Sequence, residues 1–330
     1  MGIDDLAPAM KGDANAGHSG RKKLRVRNLQ TGKGGTTVTD HSRRTLLKST
    51  ALATSAALLT GHPARSAQRW GRGNGRPLKL GLMSYNLAKD WDIDTIIKNC
   101  TETKFEHIEL RTTHAHGVEV TLSKAQRQAV RRRFEDAGLK ISLASAFSYH
   151  HPDQTQLRQH IEGTKEYTLL ARDLGALGIR VFPNAIPAGV PEERTLEQIG
   201  KALGEVGEFG HDHGVEIRVC VHGRGTNIVG KIKKMIDYAE SPHVYINWNC
   251  DHNDTKGPGF EANFNSVKDR IRNIHMHELW DEQYPYREFF RLLKASGYQG
   301  YCDAEIPASC EPIRLMKYYR ALFLAYQNAL

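Results

Sequence analysis

Three absences limit what this sequence can encode. Its 330 residues include five cysteines, an odd number with no CxxC pair, which argues against a fold stabilised by disulfides. Residues 49–60 form a weakly apolar stretch that is too short and too rich in Ser and Thr to span a bilayer. After residue 76 there is no repeat, Pro-rich linker or low-complexity segment, so the sequence predicts one domain there.

An excess of one charge is also missing from most of the chain. The formal net charge is +9, but residues 1–67 hold 11 Lys and Arg against 4 Asp and Glu. Residues 68–330 therefore keep 35 against 33, a balance of +2. This balance gives no electrostatic reason to expect a nucleic-acid partner, and we expect none.

Residues 1–67 are predicted to be an export leader. Ser42-Arg-Arg-Thr-Leu-Leu-Lys48 is close to the twin-arginine signature, and the weakly apolar stretch follows it. Processing after Ala67 would leave residues 68–77 as a short linker and residues 78–330 as a periplasmic domain without a stable membrane span. The alternative interpretation is a disordered basic tail.

Eight strand-like segments, each followed by a helix-like segment, predict an α/β fold, a single (β/α)8 TIM barrel. The predicted strands cover residues 78–87, 106–111, 140–146, 178–182, 215–222, 244–251, 271–277 and 301–305. Polar and apolar residues alternate along several of them, as in strand five, where Ile217 and Val219 flank Arg218. Because the outer face of a barrel packs on helices, the polar set is expected to face the interior. An antiparallel sheet with one wet face would alternate similarly, but the intervening helices disfavour it.

A polar interior is unfavourable unless its groups pair with one another, with a metal or with a ligand. Asp251, His277 and Glu305 lie 26 and 28 residues apart, each at the end of a predicted strand. Parallel strands of a barrel bring such ends to one mouth, where enzymes of this fold keep their chemistry. Carboxylate, imidazole and carboxylate are ligands for a divalent metal, so the pattern indicates a metal-dependent enzyme.

Four motifs then carry a resemblance to a known family. They are Val221-His-Gly-Arg-Gly-Thr226, Asn247-Trp-Asn-Cys-Asp251, Ile274-His-Met-His-Glu-Leu279 and Gly297-Tyr-Gln-Gly-Tyr-Cys-Asp-Ala-Glu305. Through them, residues 78–326 resemble the sugar phosphate isomerase/epimerase family, the xylose isomerase-like barrels that include the endonuclease IV type. The resemblance implies one divalent ion (Mn, Co, Mg or Zn) held by Asp251, His277 and Glu305. It also implies a fourth ligand, a strand-five glutamate, where this chain has Cys220.

The implied activity is isomerisation or epimerisation of a sugar or sugar derivative through an enediolate, with Glu305 as ligand and base. The missing strand-five glutamate leaves three interpretations open. Cys220 could ligate the metal as a thiolate, His222 could be the second base, or Glu305 could act alone, and the last two are favoured. A buried, inert Cys220 is at least as expected as a ligand.

Further candidates surround these residues, each with a structural alternative such as an ion pair or an exposed loop. The predicted substrate-binding residues are Glu109, His150, Asn184, Arg224 and Asp254, and His275 is predicted to lie behind the metal ligands. Export favours a free sugar, keto-sugar or glycoside over a sugar phosphate. A homo-oligomer is left open.

Other functions also remain open. The loss of the strand-five glutamate allows a non-catalytic, sugar-binding barrel, and the fold allows a lyase or hydrolase of oxidised glycosides. An endonuclease IV-like phosphodiesterase is disfavoured by the +2 balance of residues 68–330 and by too few histidine ligands.

Overall fold

The computed structural model describes residues 77–328. The predicted export leader, residues 1–67, lies outside the described residues, and so does almost all of the predicted linker. Both stay predictions. Among the described residues, no helix combines the length and apolar character needed to cross a membrane.

Eight parallel strands form a closed barrel in chain order, and a helix follows each strand. The strands are β1 (Lys79–Met83), β2 (His107–Arg111), β3 (Lys140–Ser148), β4 (Gly178–Phe182), β5 (Glu216–Cys220), β6 (Val244–Asn249), β7 (Ile271–Met276) and β8 (Tyr301–Ala304). The helices are α1 (Ile93–Thr103), α2 (Lys124–Asp136), α3 (Gln154–Leu174), α4 (Glu192–Asp212), α5 (Val229–Ala239), α6 (Phe260–Val267), α7 (Tyr286–Ser296) and α8 (Pro312–Asn328). The predicted (β/α)8 barrel is confirmed.

Several helix ends are determined by local sequence signals. Ser123 begins α2 with a capping box, in which its hydroxyl accepts from Gln126 N and the Gln126 side chain accepts from Ser123 N. Asp153 begins α3 by accepting hydrogen bonds from two backbone amides of the first turn. Gly175 ends α3 in the left-handed conformation, with φ of 68°, which glycine adopts without strain.

The outer face of the barrel forms the apolar core with the helices. Ile217 and Val219 of β5 have no exposed surface, and Trp248 of β6 packs among the rings of Phe264 and Phe289. The alternate residues point into the lumen, because they bond to strands that are not their neighbours. Such contacts across the lumen join β7 to β2, β2 to β8 and β5 to β3.

Gly81 of β1 makes room for one of these contacts. A Cβ atom at this position would lie 1.9 Å from Asp303 Oδ1 and 3.0 Å from His107 Cβ. Asp303 and His107 are both fully buried and hydrogen-bonded to each other, so neither side chain can move aside freely. Glycine at residue 81 is therefore required by the packing of the polar interior.

We expect Gly81→Ala to lower the free energy of unfolding by about 1–3 kcal/mol, because the added methyl group overpacks the interior. Gly230→Ala is the control, since a Cβ there meets no atom within 4 Å. The control should be neutral or slightly stabilising, because alanine favours helix over glycine. Urea unfolding followed by circular dichroism measures both, and equal stability of the two variants would contradict the assigned role of Gly81.

Candidate active site

The three predicted metal ligands lie at the carboxyl ends of adjacent strands. His277 and Glu305 directly follow β7 and β8, and Asp251 comes two residues after β6. All three side chains are half-buried at the mouth of the barrel. The strand order therefore places them on one arc of the rim, as the spacing predicted.

His277 is oriented by its neighbours. Its Nδ1 atom lies 3.3 Å from the backbone oxygen of Glu305, and its backbone N–H donates to the hydroxyl of Tyr286 at 3.1 Å. A carbonyl oxygen can only accept, so Nδ1 carries the proton and the lone pair is on Nε2. This is the tautomer in which a histidine can ligate a metal through Nε2.

Asp251 begins a short 3-10 turn, residues 252–255, that its own carboxylate caps. Oδ1 accepts from Asn253 N at 2.7 Å, and Oδ2 lies 3.4 Å from Asn227 Nδ2. Asp254 supports this turn from beneath: its Oδ2 accepts from Asp251 N at 3.0 Å and from the Tyr284 hydroxyl at 2.8 Å. Asp254 is fully buried, so it fixes the position of Asp251 and does not face solvent.

Buried His275 lies between two carboxylates. Its Nε2 atom is 2.6 Å from Glu109 Oε2, and its Nδ1 atom is 3.1 Å from Glu305 Oε2. Burial alone would lower the pKa of His275, but the negative charges of Glu109 and Glu305 raise that pKa well above its usual value. His275 is therefore a cation at neutral pH that bonds to both carboxylates.

A second buried pair adjoins this contact. His107 Nδ1 lies 2.8 Å from Asp303 Oδ1, and Asn273 Nδ2 donates to Asp303 Oδ2 at 2.8 Å. Burial would raise the pKa of Asp303, but the charge of His107 and its hydrogen bond hold the pKa below its ordinary value. Asp303 and His107 were not among the predicted site residues.

Glu109, His275 and Asp303 also form a cluster that could hold a metal ion. A ligand atom of each lies within 4.8 Å of those of the other two, and they are the one such group of His, Cys, Asp and Glu found in residues 77–328. Asp251, His277 and Glu305 do not converge as closely. The cluster, however, is already joined by hydrogen bonds, and both ring nitrogens of His275 are used by carboxylates.

Glu305 joins the buried cluster to the mouth. Burial would raise the pKa of Glu305, but the charge and hydrogen bond of His275, followed by the charges of His277 and Arg180, lower it to about 2. The carboxylate is therefore ionised throughout the physiological pH range. A permanently charged oxygen at the rim suits both a metal ligand and a proton acceptor.

Strand β5 supplies Cys220 and, two residues later, His222. Cys220 is buried, and its Sγ atom accepts a long hydrogen bond of 3.6 Å from Asn247 Nδ2. His222 is exposed at the mouth, with its ring 4.9 Å from that of Phe182. The barrel wall partly desolvates the ring and, together with the charge of Arg180, lowers the pKa of His222. His222 is consequently neutral at pH 7 and able to accept a proton.

The other predicted substrate-binding residues differ from one another in burial. Arg224 and Asn184 are exposed in the loops after β5 and β4. His150, after β3, is half-buried, and its Nδ1 atom is buried without a hydrogen-bond partner among the described residues. Glu109 is fully buried and bonds to His275, so it is placed behind the mouth with that histidine.

Comparison with known proteins adds to this geometry. Residues 97–323 match the family described as xylose isomerase-like TIM barrel. The chain belongs to this family. No curated protein sequence matches the chain.

Solved structures with a similar fold include three that are named as sugar epimerases. An L-ribulose 3-epimerase is 16% identical, with a TM-score of 0.66 over 76% of this chain and 95% of its own. A 3-keto-D-glucoside 4-epimerase from E. coli is 14% identical, with a TM-score of 0.64 over 75% and 99%. A D-psicose 3-epimerase from Clostridium cellulolyticum is 11% identical, with a TM-score of 0.63 over 76% and 99%. At these identities the likeness concerns the fold.

The buried carboxyl group of Asp254, which supports Asp251, is expected to make the stability of the protein depend on pH. Burial raises the pKa of Asp254 to about 7, whereas an unfolded Asp titrates at about 4. The folded protein therefore binds the proton of the Asp254 carboxyl group more tightly than the unfolded chain does. The contribution of Asp254 to stability is complete below about pH 4 and is lost as the pH rises to about 7, by up to about 4 kcal/mol.

Asp254→Asn removes the charge and keeps an oxygen that can accept from Asp251 N and Tyr284. We expect the variant to match the native protein at pH 4 and to be more stable at pH 8, by at most about 4 kcal/mol. Urea unfolding with EDTA at both pH values measures this, and Asp237→Asn, at an exposed residue, is the control. An unchanged pH dependence in Asp254→Asn would contradict the assignment.

Proposed function

We propose that the protein is a metal-dependent isomerase or epimerase of a sugar or sugar derivative. Its reaction would move a proton at a carbon beside a carbonyl group. The observation that carries the proposal is the ionised carboxylate of Glu305 at the barrel mouth, which is bonded to His275, while the backbone oxygen of Glu305 orients His277. Membership of the xylose isomerase-like family and the sugar epimerases among the solved structures support it.

The residues at the mouth fit a divalent ion better than the buried cluster does. His277 has its lone pair on Nε2, whereas His275 is protonated and bonded on both sides. Asp251 and Glu305 supply carboxylates on either side of His277 along the rim. We therefore assign Asp251, His277 and Glu305 as the residues that would hold the ion. When bound, it would supply Lewis-acid polarisation of the substrate carbonyl.

Two side chains are placed to move protons. Glu305 is ionised, its side chain is 19% exposed, and its Oε2 atom is held by His275, which fixes the direction of the other oxygen. His222 is neutral at pH 7 and lies on the rim at β5, three strands from Glu305 around the barrel. Glu305 acting alone would serve an isomerase, whereas Glu305 and His222 together would serve an epimerase.

Cys220 stands at the position where the resemblance implies a fourth metal ligand, so its surroundings bear on whether the protein supplies three ligands or four. Its thiol is buried, accepts a long hydrogen bond from Asn247 and contacts His275, so its weak hydrogen-bonding capacity is used within the fold. We therefore assign Cys220 no catalytic role. Export to the periplasm, and hence a substrate without phosphate, remains part of the proposal.

We expect the full-length protein, purified without chelators, to contain about one divalent ion per chain by elemental analysis. Asp251→Ala/His277→Ala should lose the ion because it removes two ligands. Asp303→Asn is the matched control from the buried cluster and should keep it. The opposite pattern would assign the ion to Glu109, His275 and Asp303. No metal in any protein, even after soaking, would favour the sugar-binding barrel that the loss of the strand-five glutamate suggests.

We expect Glu305→Gln to abolish turnover and leave the circular dichroism spectrum unchanged, since the amide can neither accept the proton nor carry the charge. Turnover is measured as incorporation of solvent deuterium into a panel of aldo- and keto-sugars. An active Glu305→Gln variant would exclude Glu305 as the base.

His222→Gln separates the one-base and two-base schemes in the same assay. If Glu305 works alone, His222→Gln keeps deuterium exchange and product formation together. If His222 is the second base, the variant should retain exchange on one face and lose epimerised product.

A further inference from the structure

Arg180 is a buried cation in the lumen that forms no ion pair with a carboxylate of residues 77–328. It lies in the middle of β4, where Ile179 and Val181 face outward, and is 3% exposed. Its Nη1 atom donates to the backbone oxygen of Ser145 at 3.0 Å, and its guanidinium lies 3.9 Å from the centre of the Phe182 ring. No described carboxylate lies within ion-pair distance, and the buried Nε atom has no hydrogen-bond partner among residues 77–328.

Arg218, its neighbour on β5, shows what a structural arginine in this lumen does. The two residues are paired in register between β4 and β5. The guanidinium of Arg218 bonds to Glu216 at 2.7 and 3.0 Å and donates to Ser142 Oγ at 3.1 Å. Arg218 is therefore neutralised within the fold, whereas Arg180 is not, although both are almost completely buried.

The guanidinium of Arg180 faces the candidate active site. The ring of Phe182, against which it lies, also contacts the ring of His222 at 4.9 Å. An unpaired buried charge is unfavourable in a folded protein, so a group that carries the opposite charge is expected at this position.

We propose that Arg180 binds a carboxylate of the substrate, which makes the substrate a sugar acid and not a neutral sugar. This inference rests on the proposed isomerase or epimerase function. The edge of the guanidinium that bears Nε and Nη2 has no hydrogen-bond partner among residues 77–328, and its two parallel N–H groups match the two oxygens of a carboxylate. A carboxylate carries one charge, which a single guanidinium neutralises, whereas a phosphate dianion would leave a charge unmatched.

The test is equilibrium binding to the full-length protein by calorimetry, with matched pairs of probes. The acids are D-glucuronate and D-galacturonate, and the neutral partners are D-glucose and D-galactose. We expect at least one acid to bind about tenfold or more tightly than its partner, and we expect Arg180→Gln to remove that preference. D-Glucose 6-phosphate and inorganic phosphate form the third arm.

Arg218→Gln is the matched control, since it removes the other buried arginine of the lumen. It breaks an ion pair and should lower the melting temperature, whereas Arg180→Gln breaks none and should not. If Arg180→Gln does not fold, Arg180→Lys replaces it. Lysine keeps the positive charge but lacks the two parallel N–H groups of the guanidinium, so this variant should bind the acid more weakly than the native protein.

Three results would overturn the inference. They are equal binding of acids and neutral sugars, a preference for acids that survives Arg180→Gln, and tighter binding of the phosphate probes through Arg180. The deuterium-exchange assay separates this failure from that of the proposed function. If deuterium exchanges only into neutral sugars, the proposed isomerase or epimerase function is supported and the sugar-acid inference fails. If acids bind through Arg180 but no deuterium exchanges, acid binding is supported and the proposed function fails.

Discussion

The contact of His275 with Glu109 and Glu305 is the interaction on which the rest of the site depends. It joins a carboxylate deep in the lumen to one at the mouth through a buried imidazolium. Without this cation, the fully buried carboxylate of Glu109 would lose the positive charge that it bonds to, which is unfavourable in a closed barrel. With it, Glu305 is ionised and one of its oxygens is hydrogen-bonded.

The order of strands and helices could be predicted because each element carries its own local signal. Strand β4 has the predicted bounds, Gly178–Phe182, and the Asp153 cap and the Gly175 stop mark the two ends of α3 in the sequence. Five strands (β1, β5, β6, β7 and β8) were predicted to extend beyond their observed ends at the mouth, whereas β3 was predicted two residues too short. Strand five was extended to His222, but the chain turns after Cys220, where His222 N bonds back to Cys220 O and Gly223 adopts φ of 99°. Strand one was extended to Leu87, whose burial comes from packing in a loop, and burial alone does not distinguish a loop from a strand.

The candidate site could be predicted only where it depends on strand ends. Asp251, His277 and Glu305 follow three consecutive strands, and strand spacing is visible in the sequence. The pairing of Glu109 with His275, or of His107 with Asp303, depends on which side chains meet across the lumen, and that requires the register of strands far apart in sequence. Arg180 was missed for a related reason. Arg180 alternates with apolar residues in β4 as Arg218 does in β5. Only the partners of the two guanidinium groups distinguish the two arginines.

The charges around the mouth argue against choosing a substrate from the fold alone. Cys220 stands at the position where the resemblance implies a glutamate, so this rim has one negative charge fewer than that pattern. Arg180 adds a positive charge close to Glu305 and His222. The missing glutamate and the guanidinium of Arg180 both make the site more favourable to an anion. The barrels of an L-ribulose 3-epimerase and a D-psicose 3-epimerase share the backbone arrangement at 16% and 11% identity, which leaves the charges that face the substrate free to differ. Our proposal of a sugar acid therefore rests on the buried guanidinium of Arg180, which has no ion pair among residues 77–328, and not on the fold.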